Sequence, residues 1–161
     1  MKNLHYLLVA LCLLTAVACD DDDGTSNPEI VSELYFGTFY GECFGNCATI
    51  YWLRNEELRI DTISYYYGSE LSLGDTGAYN LLSDSLYQLT ANLRADFPVQ
   101  LYDEDETIGL PDAYDQGGYF IAVPSGSGYR FWQIDTNFDD VPDELEPFLT
   151  RVSAVMTALR E

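Results

Sequence analysis

The sequence predicts an α+β fold in which an antiparallel sheet of about five to six strands carries two helices packed on one face. Three observations point there. Short aromatic or β-branched runs bounded by turn residues recur between Leu34 and Ile63 and again between Tyr119 and Ile134, the texture of strands. Two other segments, beginning at Leu82 and at Leu145, space their apolar residues three and four apart, the texture of helices. The order is strands, helix, hairpin, helix, which places helices over a sheet instead of between parallel strands.

Each element follows from its own residues. Leu34-Tyr35-Phe36-Gly37-Thr38-Phe39-Tyr40, Ala48-Thr49-Ile50-Tyr51-Trp52-Leu53 and Leu58-Arg59-Ile60-Asp61-Thr62-Ile63 read as an antiparallel meander. The third run alternates most clearly, with Leu58, Ile60 and Thr62 on one face and Arg59, Asp61 and Ile63 on the other. Beyond it, either a fourth strand at 64–67 or an ordinary loop through 68–77 is expected. Leu82, Leu86, Leu89 and Leu93 then form the stripe of a first helix, with Ser83 or Asp84 as its cap and Phe97-Pro98 as its stop. Residues 102–118 are acidic and contain Gly and Pro, as a solvated connection would.

Tyr119-Phe120-Ile121-Ala122-Val123 and Tyr129-Arg130-Phe131-Trp132-Gln133-Ile134 flank the turn chemistry of Pro124-Ser125-Gly126-Ser127-Gly128, so they should pair as a hairpin. The last helix carries Leu145, Phe148, Leu149, Val152, Val155, Met156 and Leu159 on one face. Asp143 and Glu146 have capping-box spacing at its start. Arg151 and Arg160 lie toward its C-terminal end, where the helix dipole favours positive charge.

Ahead of the folded part, Lys2 and the apolar stretch from Leu4 to Val17 form a secretory leader, too short for a spanning helix. Ala16-Val17-Ala18-Cys19 resembles the bacterial lipobox, which implies that Cys19 is lipidated and becomes the first mature residue. Asp20 to Asp23 and the Gly24-Thr25-Ser26-Asn27-Pro28 stretch bury little and read as a solvated leash. An acidic run behind a lipidated cysteine resembles the surface-export signal of Bacteroidetes lipoproteins. The organisation expected is therefore a signal peptide at 1–18, a lipidated acidic tether at 19–32 and a single α+β domain at 33–161. The location expected is the cell envelope, at the outer membrane and on its external face, held through the lipid alone.

Charge prunes the functional classes. The chain has 27 acidic and 7 basic residues and a formal charge of −20, which excludes nucleic acid as a partner and an anionic bilayer face except through the lipid. The only lysine, Lys2, and the only histidine, His5, belong to the leader. Ser-His-Asp, Cys-His, Schiff-base and histidine–zinc chemistries lose their key residue with them. What remains is a non-catalytic binding or structural module, a carboxylate-dependent hydrolase of glycosidase type, or a calcium-stabilised interaction domain, each as a monomeric domain without another cofactor.

Three constellations are candidates. Cys43 and Cys47, in Gly41-Glu42-Cys43-Phe44-Gly45-Asn46-Cys47, can meet across a tight hairpin in an oxidising compartment. A thioredoxin-like redox pair would instead need Cys-x-x-Cys at a helix N-terminus. Asp135, Asn137, Asp139, Asp143 and Glu146 place oxygen ligands at positions 1, 3, 5, 9 and 12 of a calcium-type loop, although Asp140 takes the sixth position, where glycine permits the bend. The plainer reading of 135–146 is an acidic strand-to-helix connection. Tyr65, Tyr66 and Tyr67 with Trp52 and Trp132 could build a stacking face for sugars or peptides, or simply fill the core.

Cys43-Phe44-Gly45-Asn46-Cys47 followed by Ala48-Thr49-Ile50-Tyr51 is similar to the Cys-Phe-Gly-x-Cys-Pro-x-Tyr signature of an uncharacterised family of small bacterial lipoprotein domains. Gly77-Ala78-Tyr79, Pro111-Asp112 and Pro142-Asp143-Glu144-Leu145 fit the later order of that family. Ala48 stands where its proline is expected, and the tyrosine comes one place later. The resemblance implies a fold over nearly all of the mature chain and no mechanism.

Overall fold

The computed structural model describes residues 30–41, 43–62, 73–75 and 78–161. The leader, Cys19, most of the tether and the strand-or-loop segment at 64–67 lie outside the described residues. Among the described residues seven strands form one sheet: β1 (Glu33–Phe39), β2 (Ala48–Arg54), β3 (Glu57–Asp61), β4 (Tyr79–Leu81), β5 (Thr107–Ile108), β6 (Gly118–Ser125) and β7 (Gly128–Asp135). The sheet order is β4-β3-β2-β1-β6-β7-β5. Helix α1 (Asp84–Thr90) and helix α2 (Glu146–Ala158) complete an α+β fold, as expected.

The strand count exceeds the expected five to six because β4 and β5 are three and two residues long. Neither is long enough to display a period of two. β5 lies inside what the sequence presents as a loop, and it pairs parallel to β7, so the sheet is mixed. Every other ladder is antiparallel.

The turns follow local backbone chemistry. Arg54 pairs with Glu57 across Asn55 and Glu56, both at positive φ (45° and 61°), the geometry of a type I′ hairpin. Ser125 pairs with Gly128, so the β6–β7 turn is tighter than the Pro124–Gly128 stretch suggests. Gly126, at φ 57°, is the first of its two central residues, as a II′ turn requires. In the middle of β1 a Cβ on Gly37 would overlap the Thr49 carbonyl oxygen, so this glycine permits close pairing with β2.

Both helices depart from their expected ends. α1 stops at Thr90, ahead of Phe97-Pro98. Leu93 and Ala95 bond back three residues, to the carbonyls of Thr90 and Asn92, so tight turns replace the α-helix. Leu93 and Phe97 are nevertheless buried, whereas Leu82 and Leu86 are half-buried and Leu89 is 47% exposed, so the leucine stripe meets the core only in part. At α2 the capping box does not form. Leu145 is the N-cap, no side chain caps it, and Glu146 N–H bonds the Asp143 main-chain carbonyl. Pro147 occupies the first turn, where a missing N–H costs nothing.

The two faces of the sheet bury different chemistry. On the helix face, Leu34, Phe36, Leu53, Ile121, Trp132 and Ile134 pack against Leu93, Phe97, Leu145, Phe148, Leu149 and Val152. Burying each such side chain contributes about 1.5–3 kcal/mol. The opposite face is an aromatic layer of Tyr35, Trp52, Tyr79 and Phe120, with Leu73, Tyr129 and Phe131 against it. Tyr35 stacks on Trp52 at 5.3 Å between centroids, and Tyr129 meets Tyr35 edge-on. The Tyr35 hydroxyl donates to Tyr129 Oη and accepts from the Gly74 N–H at 2.8 Å. Burial and the Tyr129 hydroxyl push its pKa well above the ordinary tyrosine range.

Candidate functional site

The strand directions gather several loops at one end of the sheet. β1 and β7 finish there, β2 and β6 begin there, and β5 runs into it parallel to β7. The rim at this end is therefore built from 40–47, between β1 and β2, and 109–117, between β5 and β6.

The first loop is stapled. Cys43 and Cys47 form a disulfide with Cα atoms 5.6 Å apart, and the Tyr40 N–H bonds the Cys47 carbonyl at 2.8 Å below it. The two cysteines considered as a staple or a redox pair are thus bridged, between the end of β1 and the start of β2.

The second loop is clamped to the first by one side chain. Asp112 Oδ2 accepts from the Gly41 N–H at 2.6 Å, and Oδ1 accepts from the Gly117 N–H at 2.7 Å. Asp112 sits at φ 61°, a left-handed conformation that aspartate tolerates better than most residues. Gly117, at φ 76°, lets the backbone pass close to the Phe39 carbonyl and the Tyr40 ring. The paired loops leave apolar side chains in water: Phe44 is fully exposed, Tyr114 is 88% exposed and Leu110 62%.

Beside this rim a cleft of about 180 Å³ opens on the helix face. Its walls are Thr38 of β1, Tyr119 of β6, Thr136 after β7, and Ser153, Thr157 and Arg160 along and beyond α2; Tyr40 and Gln116 reach it from the rim loops. The lining is hydroxyl, amide and one guanidinium, with Met156 as the apolar contribution. Arg160 Nη2 donates to Thr38 Oγ1 at 3.3 Å. Arg160 also favours the ionised form of nearby Tyr51, although burial dominates and raises that tyrosine's pKa.

The residues named from sequence fall in different places. Cys19 lies outside the described residues, as do Tyr65, Tyr66 and Tyr67. Trp52 and Trp132 have no exposed surface, so they fill the two cores and cannot form a stacking platform. Asp135 is buried at the end of β7. Its Oδ2 accepts from the Leu110 N–H at 3.0 Å and its Oδ1 from the Asn137 N–H at 2.8 Å. Asn137 caps a short 3-10 turn at Phe138–Asp140 by accepting from the Asp139 N–H. Asp139, Asp143 and Glu146 are exposed. Among the described residues no group of three or more His, Cys, Asp or Glu side chains is gathered to hold a metal ion.

Three contributors escaped the sequence reading. Asp112 belongs to a Pro-Asp pair in an acidic segment, which gives no hint that it ties two distant loops together. Arg160 reads as a helix-end cation, and only the fold brings Thr38 to it. Asp61 is the third: it sits at the end of β3, 9% exposed, and its Oδ2 accepts from the Ile50 N–H at 3.2 Å. Burial raises its pKa to about 6, partly opposed by that hydrogen bond.

Among the described residues no helix is long and apolar enough to cross a membrane. No protein-family model matches this chain and no curated protein matches it, which leaves the chemistry of the site to be read from its own residues.

Proposed function

We propose that this chain is a cell-envelope lipoprotein whose domain acts as a non-catalytic binding module, tethered through lipid on Cys19 and recognising its partner with the loop rim. The lipobox-like Ala16-Val17-Ala18-Cys19 and the acidic leash support the tether and an outer-membrane, outward-facing location. The observation that carries the binding reading is the double clamp at the rim. A disulfide closes 43–47, and Asp112 ties that loop to 109–117, so Phe44, Leu110 and Tyr114 are presented with their ordering cost already met.

A carboxylate hydrolase needs two acidic groups flanking the scissile bond across a cleft. The cleft beside the rim is walled by hydroxyls, an amide and a guanidinium instead. The geometry supports recognition over bond cleavage.

Two measurements test this reading. Labelled palmitate should enter the wild-type chain and not Cys19→Ala; label in both, or in neither, overturns the anchor. A photo-crosslinking amino acid at Tyr114 should give discrete adducts on intact cells, and the same group at Leu89, on exposed α1, should not. Equal adducts at both positions would remove the rim as the recognition end.

A further inference from the structure

In a chain with 27 acidic and 7 basic residues, the arginines divide by what they meet. Among the described residues, Arg54, Arg59 and Arg151 face Glu33, Glu57 and Asp96. Arg94 and Arg130 donate to the main-chain carbonyls of Ser32 and Glu104. Arg160 differs: its partner is the Thr38 hydroxyl, at the wall of an open cleft. A single hydroxyl leaves most of the guanidinium fork available, and that fork matches a carboxylate in bidentate fashion.

We propose that this cleft binds a small hydroxylated monocarboxylate, either a free sugar acid or the acidic end unit of a longer chain, with Arg160 holding the carboxylate. The assignment rests on the reading of this rim as the recognition end. Charge limits the ligand to a single negative charge. The chain carries −20, and the C-terminal end of α2 adds the negative end of a helix dipole, so a dianion pays the repulsion twice for the same single cation.

The remaining walls favour a ligand body that is polar and uncharged. Hydroxyl groups of Thr136, Ser153 and Tyr119 can donate and accept, as can the amide of Gln116, and a polyol satisfies both roles without burying an unpaired group. Thr157 Oγ1 already donates to the Ser153 carbonyl at 3.0 Å, so toward the cleft it offers lone pairs to a ligand hydroxyl. A volume of about 180 Å³ is below that of a drug-sized site and suits one small unit.

Saturation-transfer difference NMR on the full-length lipoprotein in sugar-free detergent micelles tests the assignment. The probes are D-glucuronate, D-glucose, glucose 6-phosphate, acetate and a disaccharide of neutral glucose capped by a single glucuronate. Glucuronate should receive saturation, while glucose, which lacks the carboxylate, and acetate, which lacks the hydroxyls, should bind about tenfold more weakly or worse. Arg160→Gln should weaken glucuronate by about tenfold or more with an unchanged melting midpoint, and Arg160→Lys should recover part of the loss.

Preference for the glucuronate-capped disaccharide over glucuronate would assign the cleft to the end of a longer chain, and equal binding would assign it to the free acid. Glucose binding as well as glucuronate, glucose 6-phosphate binding better, or indifference to Arg160→Gln would each overturn the proposal. If no probe binds while crosslinking at Tyr114 persists, the ligand class falls and the recognition end stands. Glucuronate binding without crosslinks at Tyr114 would keep the ligand and remove the wider rim.

Discussion

Asp61 and Asp112 are both aspartates that accept main-chain N–H groups, yet their environments set them opposite tasks. Asp61 is buried at the end of β3 with one such bond, and burial raises its pKa from 3.8 to about 6. A folded pKa above the unfolded one means that the native state holds the proton more tightly between about pH 4 and pH 6. Stability contributed by this group is therefore complete in acid and lost as pH rises through that window, by up to about 3 kcal/mol. Asp61→Asn keeps an oxygen for the Ile50 N–H and cannot ionise. Urea unfolding at pH 7 should show the variant more stable by about 1–3 kcal/mol, with the gap closing near pH 4; a constant gap at both pH values would contradict the assignment.

Asp112 uses both carboxylate oxygens, one for each rim loop. An amide has one acceptor oxygen, so Asp112→Asn turns an NH2 group toward one of the two N–H donors. The expected cost is about 1–2 kcal/mol. Hydrogen exchange at Gly41 and Gly117 should report it directly, with protection falling at one or both amides. Neither role could be read from the sequence, because an acidic side chain facing water and one facing a backbone donor are the same letter.

At the scale of elements, the Cys43–Cys47 bridge closes a short loop between β1 and β2. Chain-entropy reasoning gives about 2 kcal/mol for such a loop. Unfolding with and without reductant should differ by roughly that amount, and intact mass should rise by two hydrogens on reduction. In the 135–146 connection the first of the calcium-type positions has main-chain partners. The Asp135 carboxylate serves the main chain of Leu110 and Asn137, which fixes the end of β7 against the loop that follows β5. Thermal melts in calcium and in chelator should therefore coincide; a higher midpoint in calcium would restore the metal reading. Spacing along a loop sets which ligands could converge, and the loop's own hydrogen bonds decide whether they do.

Across the whole molecule, a charge of −20 sets like charges against one another over the surface. Three ion pairs among the described residues offset little of it, since each is partly exposed. Raising sodium chloride from about 0.01 M to about 0.15 M shortens the screening length from about 30 Å to about 8 Å, so the melting midpoint should rise. A fall would mean that ion pairs outweigh net repulsion.

The elements legible in the sequence were those with enough residues to show a period: β1 to β3, the β6–β7 hairpin and the buried stripe of α2. Phe148, Leu149, Val152, Val155 and Met156 announced their face because a helix repeats every 3.6 residues, and burial selects apolar side chains at that repeat. The cysteine staple was legible too, since two thiols four positions apart leave few other partners within reach. Only the tertiary structure decided that β5 joins the sheet, that Asp112 ties two loops 71 positions apart and that Arg160 stands over Thr38. Local patterns record which surface a segment buries; contacts between distant segments depend on how the whole chain closes, and a single residue at such a contact leaves no repeat for a sequence to display.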